Sequence, residues 1–251
     1  MSALQGKTAI VTGAASGIGR SIALAFANEG ANVICADVDL RGCDETVDLA
    51  QADSRVLSVC CDVSSAAAAE ASVALAQQHF GALHVLVNNA AAFVPYATVV
   101  ELDEADWSRS LSVNLTGPFL MSKFAVPLIA ASGGGSIIHM ASQLGQVGKP
   151  GHCWYGAAKA ALIQLAKIMA LDHAAQNIRV NTLSPGPVGT ARIHQKYGGK
   201  EQAERVGDEL YLMRRLGRPE EIASAAVFLA SDASSYMTGA DLLIDGGYTA
   251  R

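Results

Sequence analysis

Lys7-Thr8-Ala9-Ile10-Val11-Thr12-Gly13-Ala14-Ala15-Ser16-Gly17-Ile18-Gly19 is the stretch on which the fold turns. Its first six residues are a β-branched, apolar run of the kind that makes a buried strand. Three glycines fall in the next seven, and Ile22, Leu24, Ala25 and Phe26 then follow in a helical pattern. A glycine-rich turn between strand and helix aims bare backbone N–H groups and the positive helix end at a phosphate. The spacing is G-x3-G-x-G, not the G-x-G-x-x-G of the standard dinucleotide fingerprint, and glycines also serve plain turns. Context adds weight. A second strand, Asn32-Val33-Ile34-Cys35-Ala36-Asp37, ends in an acid 18 residues after Gly19. That is about where a ribose-binding carboxylate belongs in a βαβ unit.

Strand and helix patterns alternate along the rest of the chain. Candidate strands are 7–12, 32–37, 55–61, 83–88, 135–141, 178–183 and 241–245, with helical patterns at 17–29, 65–80, 104–130, 155–173 and 219–231. Such alternation predicts an α/β fold, a doubly wound (Rossmann-type) parallel sheet with helices on both faces. No linker or repeat divides residues 1–251, so one domain is expected. The stretch from Pro187 to about Arg215 breaks the rhythm and carries no strand signal. It follows the carboxyl end of a predicted strand, where doubly wound folds bind ligands, and reads as a mobile substrate lid over about 187–215.

Tyr155 and Lys159 stand four residues apart at the start of an apolar helix, and Ser142 lies 13 residues before Tyr155. Residues i and i+4 share one helix face, so a phenol and an ammonium are held side by side. Tyrosine titrates near pKa ~10, and an adjacent cation favours the phenolate. Such a tyrosine can take a proton from an alcohol or give one to a carbonyl oxygen, with the Ser142 hydroxyl orienting the same oxygen.

Taken together, these elements resemble the short-chain dehydrogenase/reductase family. Thr12-Gly13-Ala14-Ala15-Ser16-Gly17-Ile18-Gly19 matches its T-G-x-x-x-G-x-G element, Asn88-Asn89-Ala90 its N-N-A element, and Ser142, Tyr155 and Lys159 its catalytic set. Asn114 sits where the family places a central-helix asparagine, and Pro185-Gly186-Pro187-Val188-Gly189-Thr190 matches the segment that meets the nicotinamide carboxamide. The resemblance reaches Asp245-Gly246-Gly247, with one departure: Ala91 stands where the family usually has glycine. It implies that Tyr155 is the acid/base, that Ser142 polarises the reacting carbonyl or alcohol, and that Lys159 lowers the Tyr155 pKa and holds the nicotinamide ribose. Asn114 would support a water linking Lys159 to solvent, and Asp62 and Val63 would meet the adenine. A homotetramer or homodimer is implied as well, in keeping with the apolar helix of Ala161, Leu162, Leu165, Ala166, Met169 and Ala170.

Asp37 favours NAD over NADP. A 2′-phosphate beside that carboxylate would set two like charges at about 4 Å, a cost of about 4 kcal/mol at an effective dielectric near 20 before solvent reduces it. NADP users usually place a cation here, whereas this chain has Ser16 and Val38, with Arg41 the nearest base after the strand.

Composition narrows the remaining classes. Apolar residues make up 51% and charged ones 16%, and the net charge is −5. That suits a buried sheet and gives no reason to expect nucleic acid or an anionic membrane as partner. No signal peptide or run of 18 apolar residues appears. Five cysteines without metal or disulfide spacing point to a reduced, cytoplasmic protein. The histidines form no ligand motif, so no metal is expected. Gln143, Gln146, His152 and Trp154 flank the catalytic residues, and the lid adds Arg192, His194, Lys196, Tyr197 and Lys200. These suit a small polar hydroxylated substrate such as a sugar or sugar acid. The alternatives are a 3-oxoacyl thioester or hydrophobic ketone reductase and, more remotely, a protein that only binds NAD.

Overall fold

All five residues of β1 (Thr8–Thr12) are buried, as a parallel strand covered on both faces must be. The computed structural model describes residues 2–52 and 54–250. Six further strands join β1: β2 Asn32–Asp37, β3 Val56–Cys60, β4 Val85–Asn88, β5 Gly135–Met140, β6 Ile178–Pro185 and β7 Asp241–Ile244. They form one parallel sheet in the order β3-β2-β1-β4-β5-β6-β7.

The two-residue pleat sorts the strand side chains into two cores. Ala9, Val11, Val33, Cys35, Val85 and Val87 face one way and pack with Ile22 and Phe26 of α1 (Gly17–Asn28) and Ile222 and Leu229 of α9 (Pro219–Ala230). Ile10, Ile34, Ala36, Leu86 and Ile137 face the other way. They meet Val73 of α3 (Ala66–Phe80), Met121 and Ile129 of α5 (Gly117–Ala131) and Ala166 and Met169 of α6 (Cys153–His173).

The expected helix over 104–130 runs from Glu104 to Ala131. It is not uniform: α4 (Glu104–Leu111) and α5 are joined by a π-helical turn, Ser112–Thr116, with Asn114 buried at its centre. This helix is long and apolar enough to span a bilayer by composition, but its Met121, Ala125 and Ile129 face lies in the core.

Three short helices were not legible from periodicity. The helix α2 (Leu40–Asp48) follows β2 and is capped by the Asp39 side chain, which accepts from the Gly42 N–H. The 187–215 stretch is not irregular. It holds α7 (Ala191–Lys196), capped by Thr190, and α8 (Lys200–Leu210), whose exposed Lys200–Glu204 pair spans one turn. Both are short and rich in charged residues, with few apolar positions to mark a buried face.

Candidate active site

Strands β1 and β4 lie side by side, but the chain leaves them towards opposite faces, opening a crevice at their carboxyl ends. Thr12 ties the two sides together. Its hydroxyl donates to the Val87 carbonyl at 3.2 Å and accepts from the N–H groups of Asn89 and Ala90 at 2.9 and 3.1 Å. The Asn89 amide donates back to the Thr12 and Gly13 carbonyls. Gly13 has φ of +68°, and a Cβ there would stand 2.7 Å from Asn89 Nδ2 and 2.9 Å from Ala90 Cα. A Cβ on Gly19 would collide with the Gly13 carbonyl oxygen. At the start of α1, the exposed Ser16 takes no side-chain cap bond. Gly17, at φ of +55°, faces the Thr190 methyl. The result is a tight backbone cradle at a helix N-terminus, which fits a pyrophosphate.

Asp37 closes one end of this cradle. Its carboxylate accepts from the Ala15 N–H at 3.2 Å and the Asp39 N–H at 3.1 Å. Two bases lie on that side, and both turn elsewhere. Arg20 bonds the Ala15 and Gly42 carbonyls, Thr46 and Glu45, whereas Arg41 is exposed and pairs loosely with Glu45. Asp62 is exposed and accepts from the Ser64 N–H and hydroxyl; Val63 is buried against Gly117.

At the end of β5 the chain turns through Ser142, whose hydroxyl accepts from the Leu144 N–H. The Ser142 hydroxyl also reaches the Tyr155 phenol. Lys159 is fully enclosed beneath Tyr155. Its ammonium donates to the Met140 carbonyl at 2.7 Å and lies 5.5 Å from the Tyr155 ring centroid. Burial lowers its pKa to about 7, with Arg192 adding to the shift. Burial also raises the Tyr155 pKa, opposed by the Ser142 hydrogen bond and the Arg192 guanidinium. Lys159 runs under the ring to the strand-end carbonyl, and Arg192 adds a second cation beside the phenol. His139, buried next to Asn88, is held neutral with a pKa of about 4 by burial and then by Lys159.

Asn114 is buried in the π turn. It accepts from the Ala92 N–H and donates to the Ala92 carbonyl and Ser110 hydroxyl, so it pins the loop after β4. That loop carries Phe93 and Tyr96, which line the pocket with Ser142, Gln143, Trp154, Tyr155, His152, Arg192 and Lys196. Ile18, Pro185, Gly186, Val188 and Thr190 close the cradle side of the same pocket. Gly186 lies so close to Asp245 and Gln143 that a Cβ would stand 2.9 Å from each.

Two expected pocket residues turn away. The His194 ring lies over Gly189, 3.5 Å from where a Cβ would stand, and the Gln146 amide donates to Asp241. Lys200 is occupied by Glu204 on the surface. Conversely, Phe93, Tyr96, Lys149 and Tyr211 line the pocket without having been singled out. The one available signal was a pair of aromatic residues in an aperiodic loop. Among the described residues no group of three or more His, Cys, Asp or Glu could hold a metal.

Comparison with known proteins gives a consistent picture. A family model described as "Enoyl-(Acyl carrier protein) reductase" matches residues 13–249. The chain is 39% identical over 252 residues to D-threitol dehydrogenase of Mycolicibacterium smegmatis, covering 99% of this chain and 95% of that protein. It is 41% identical over 244 residues to cis-4-hydroxycyclohexanecarboxylate dehydrogenase of Sinomonas cyclohexanicum, covering 97% of each. A crystal structure described as a short-chain dehydrogenase/reductase from Burkholderia xenovorans superposes with a TM-score of 0.94 at 39% identity, covering 100% and 99% of the two chains.

The Lys159 environment makes a prediction about the cofactor-free protein. A lysine whose folded pKa is about 7 binds fewer protons than its unfolded form between roughly pH 7 and pH ~10.5. Its burial therefore weakens the fold most below pH 7, and the penalty fades as pH rises to 10. Lys159→Met should melt several degrees above wild type at pH 6.5, with the gap closing towards pH 10. Thermal unfolding of both proteins across that range checks it, and a gap that is constant with pH contradicts the assignment.

Proposed function

This chain belongs to the short-chain dehydrogenase/reductase family and acts on CH–OH groups, and on that premise we propose that it interconverts a secondary alcohol and its ketone with NAD. The observation that carries the reading is that Ser142 and Tyr155 line one pocket with Ile18, Gly186 and Thr190 of the cradle side. In this reading Gly13, Ser16, Gly17, Ile18 and Gly19 hold the pyrophosphate. Asp37 takes the ribose hydroxyls, while Asp62, Val63 and Ala90 lie at the adenosine. Pro185, Gly186, Val188 and Thr190 meet the far end of the dinucleotide. A bound nicotinamide supplies the hydride acceptor for oxidation and the donor for reduction.

The side chains handle the proton. Ser142 donates to the substrate oxygen and fixes it beside Tyr155 Oη. Tyr155 takes the hydroxyl proton as the alcohol is oxidised and returns it in reduction. Lys159, near neutrality in its pKa, charges more readily when a phenolate or ribose hydroxyl sits beside it. The residues 187–215 form the lid, and Arg192 beside Tyr155 lets the lid sense the reacting centre.

NAD is favoured by the Asp37 carboxylate and by the diversion of Arg20 and Arg41 to other partners. A polar, hydroxylated substrate such as a sugar or sugar acid is favoured by Gln143 and His152 in the pocket, and by relatives that act on a polyol and a hydroxy acid. A 3-oxoacyl thioester is the second reading, supported by the family model's description and by the Phe93, Tyr96 and Trp154 wall. A homotetramer or homodimer is supported by Phe119, Ile168 and Leu171, exposed by 48%, 47% and 82% on α5 and α6. Large apolar groups gathered this way on a surface mark contact with another chain.

Three measurements bear on these readings. Tyr155→Phe keeps the ring and removes the transferable proton, so kcat should fall at least ~10²-fold with NAD binding intact; retention of more than about a tenth of the activity contradicts the role. Wild type should favour NAD over NADP by at least about tenfold in kcat/KM, and Asp37→Ser with Val38→Arg should shift the preference towards NADP. A wild type that prefers NADP removes Asp37 from the ribose and favours the acyl reductase. Light scattering should give a dimer or tetramer at micromolar concentration, and a monomer ends the oligomer proposal.

A further inference from the structure

The outer end of the pocket gathers positive charge without a counter-charge. Lys149, His152, Arg192 and Lys196 all line it, and among the described residues no Asp or Glu does. The chain as a whole has 23 acids to 18 lysines and arginines, so this is not a reflection of composition. None of Lys149, Arg192 and Lys196 takes part in an ion pair among the described residues, whereas seven other bases do so within 3.9 Å.

The cluster is also held in place. Lys149 sits in the short turn Gly148-Lys149-Pro150-Gly151 between β5 and α6. His152 Nδ1 lies 2.7 Å from the Pro150 carbonyl. A carbonyl only accepts, so Nδ1 carries the proton and Nε2 of the neutral ring is left to accept from a ligand hydroxyl. The Tyr96 ring is the clamp: His152 stacks on it at 4.4 Å, and the Lys196 ammonium lies 4.3 Å from its centroid. Lys149 and His152 each titrate low through burial, with Lys196 contributing to both shifts. Like charges drawn together in a half-buried pocket repel one another unless an anion lies between them.

Two buried groups on the pocket wall add to this. Trp154 Nε1 and Gln143 Oε1 have no hydrogen-bond partner, though both side chains line the cavity. A buried donor and a buried acceptor left open call for a ligand that supplies their partners.

We propose that the substrate is a hydroxy acid (or its keto acid) whose carboxylate seats between Lys149 and Lys196 while its alcohol carbon lies at Tyr155. The inference rests on the alcohol–ketone reading above and names the charged end of that substrate. A carboxylate fits better than a phosphate ester, which is usually held by a nest of backbone N–H groups; this end of the pocket offers side-chain cations, with Arg192 packed on Phe93. The cofactor's phosphates do not account for the cluster, because their cradle is the Gly13–Gly19 turn on the opposite side.

The test uses matched pairs with NAD: 3-hydroxybutyrate against its methyl ester, threonate against threitol, and gluconate against glucitol. Wild type should turn over the acid of at least one pair about tenfold better in kcat/KM than its neutral partner. The double variant Lys149→Gln with Lys196→Gln should lose that advantage by about tenfold, through KM, and leave the neutral partner and the KM for NAD unchanged. Lys149→Arg with Lys196→Arg should keep it. The proposal is overturned if wild type prefers the neutral members, if the Gln variant weakens acid and neutral partner alike, or if it raises the KM for NAD with the acid preference intact. Each of these leaves alcohol oxidation standing. If no acid or neutral alcohol is turned over with NAD or NADP, the alcohol–ketone reading fails and the proposal falls with it.

Discussion

The Thr12 hydroxyl is the point on which the site hangs. It joins the end of β1 to the backbone just beyond β4, where the sheet changes winding direction. Adjacent parallel strands whose connections leave to opposite faces necessarily part at their carboxyl ends, and buried backbone groups there need partners. Thr12 and Asn89 satisfy them with a hydroxyl and an amide, so the glycine turn and the loop after β4 move as one unit. The same loop is pinned at Ala92 by Asn114, and it brings the Phe93 ring to 5.6 Å from the Tyr155 ring. The cradle and the substrate wall are two ends of one hydrogen-bonded assembly.

Desolvation governs the chemistry of the other half. Enclosing Lys159 and Tyr155 disfavours both charged forms, so the lysine titrates low and the tyrosine high. The lysine is thereby brought near the point where small changes of environment move its proton. The π turn that buries Asn114 belongs to the same arrangement, since π-helical turns interrupt a helix's own hydrogen-bond ladder and occur frequently at functional sites. Here the turn spends its asparagine on positioning a loop. Arg192 introduces a third influence: it comes from α7, packs on Phe93 and lowers the Tyr155 pKa against the effect of burial.

The sheet, its order of alternation with helices and the catalytic spacing were legible because each depends on local periodicity. A buried strand must be apolar throughout, and a phenol and ammonium four residues apart must share a helix face. Asp37, Ser142 and Tyr155 were found in this way, each anchored to the end of a strand or the start of a helix. The short polar helices α2, α7 and α8 escaped because they bury too little to impose a pattern. His194 and Gln146 were misplaced for a related reason: in a loop or a one-turn helix, side-chain direction is set by neighbours distant in the chain.

The sequence by itself determined the α/β architecture, the glycine turn with its acidic strand end, and the identity of the Ser-Tyr-Lys group, since local backbone preferences and strand burial suffice for these. Only the tertiary structure decided which partner each group takes. Lys159 goes to the Met140 carbonyl, Asn114 to Ala92, and Arg192 to the phenol. It also decided that Tyr96, Lys149, His152 and Lys196 meet at one end of the pocket. Those four come from a loop, a turn and helix α7, separated by up to 100 residues. Charge and aromatic contacts between such segments act through space, and nothing in the order of residues along the chain encodes their distance.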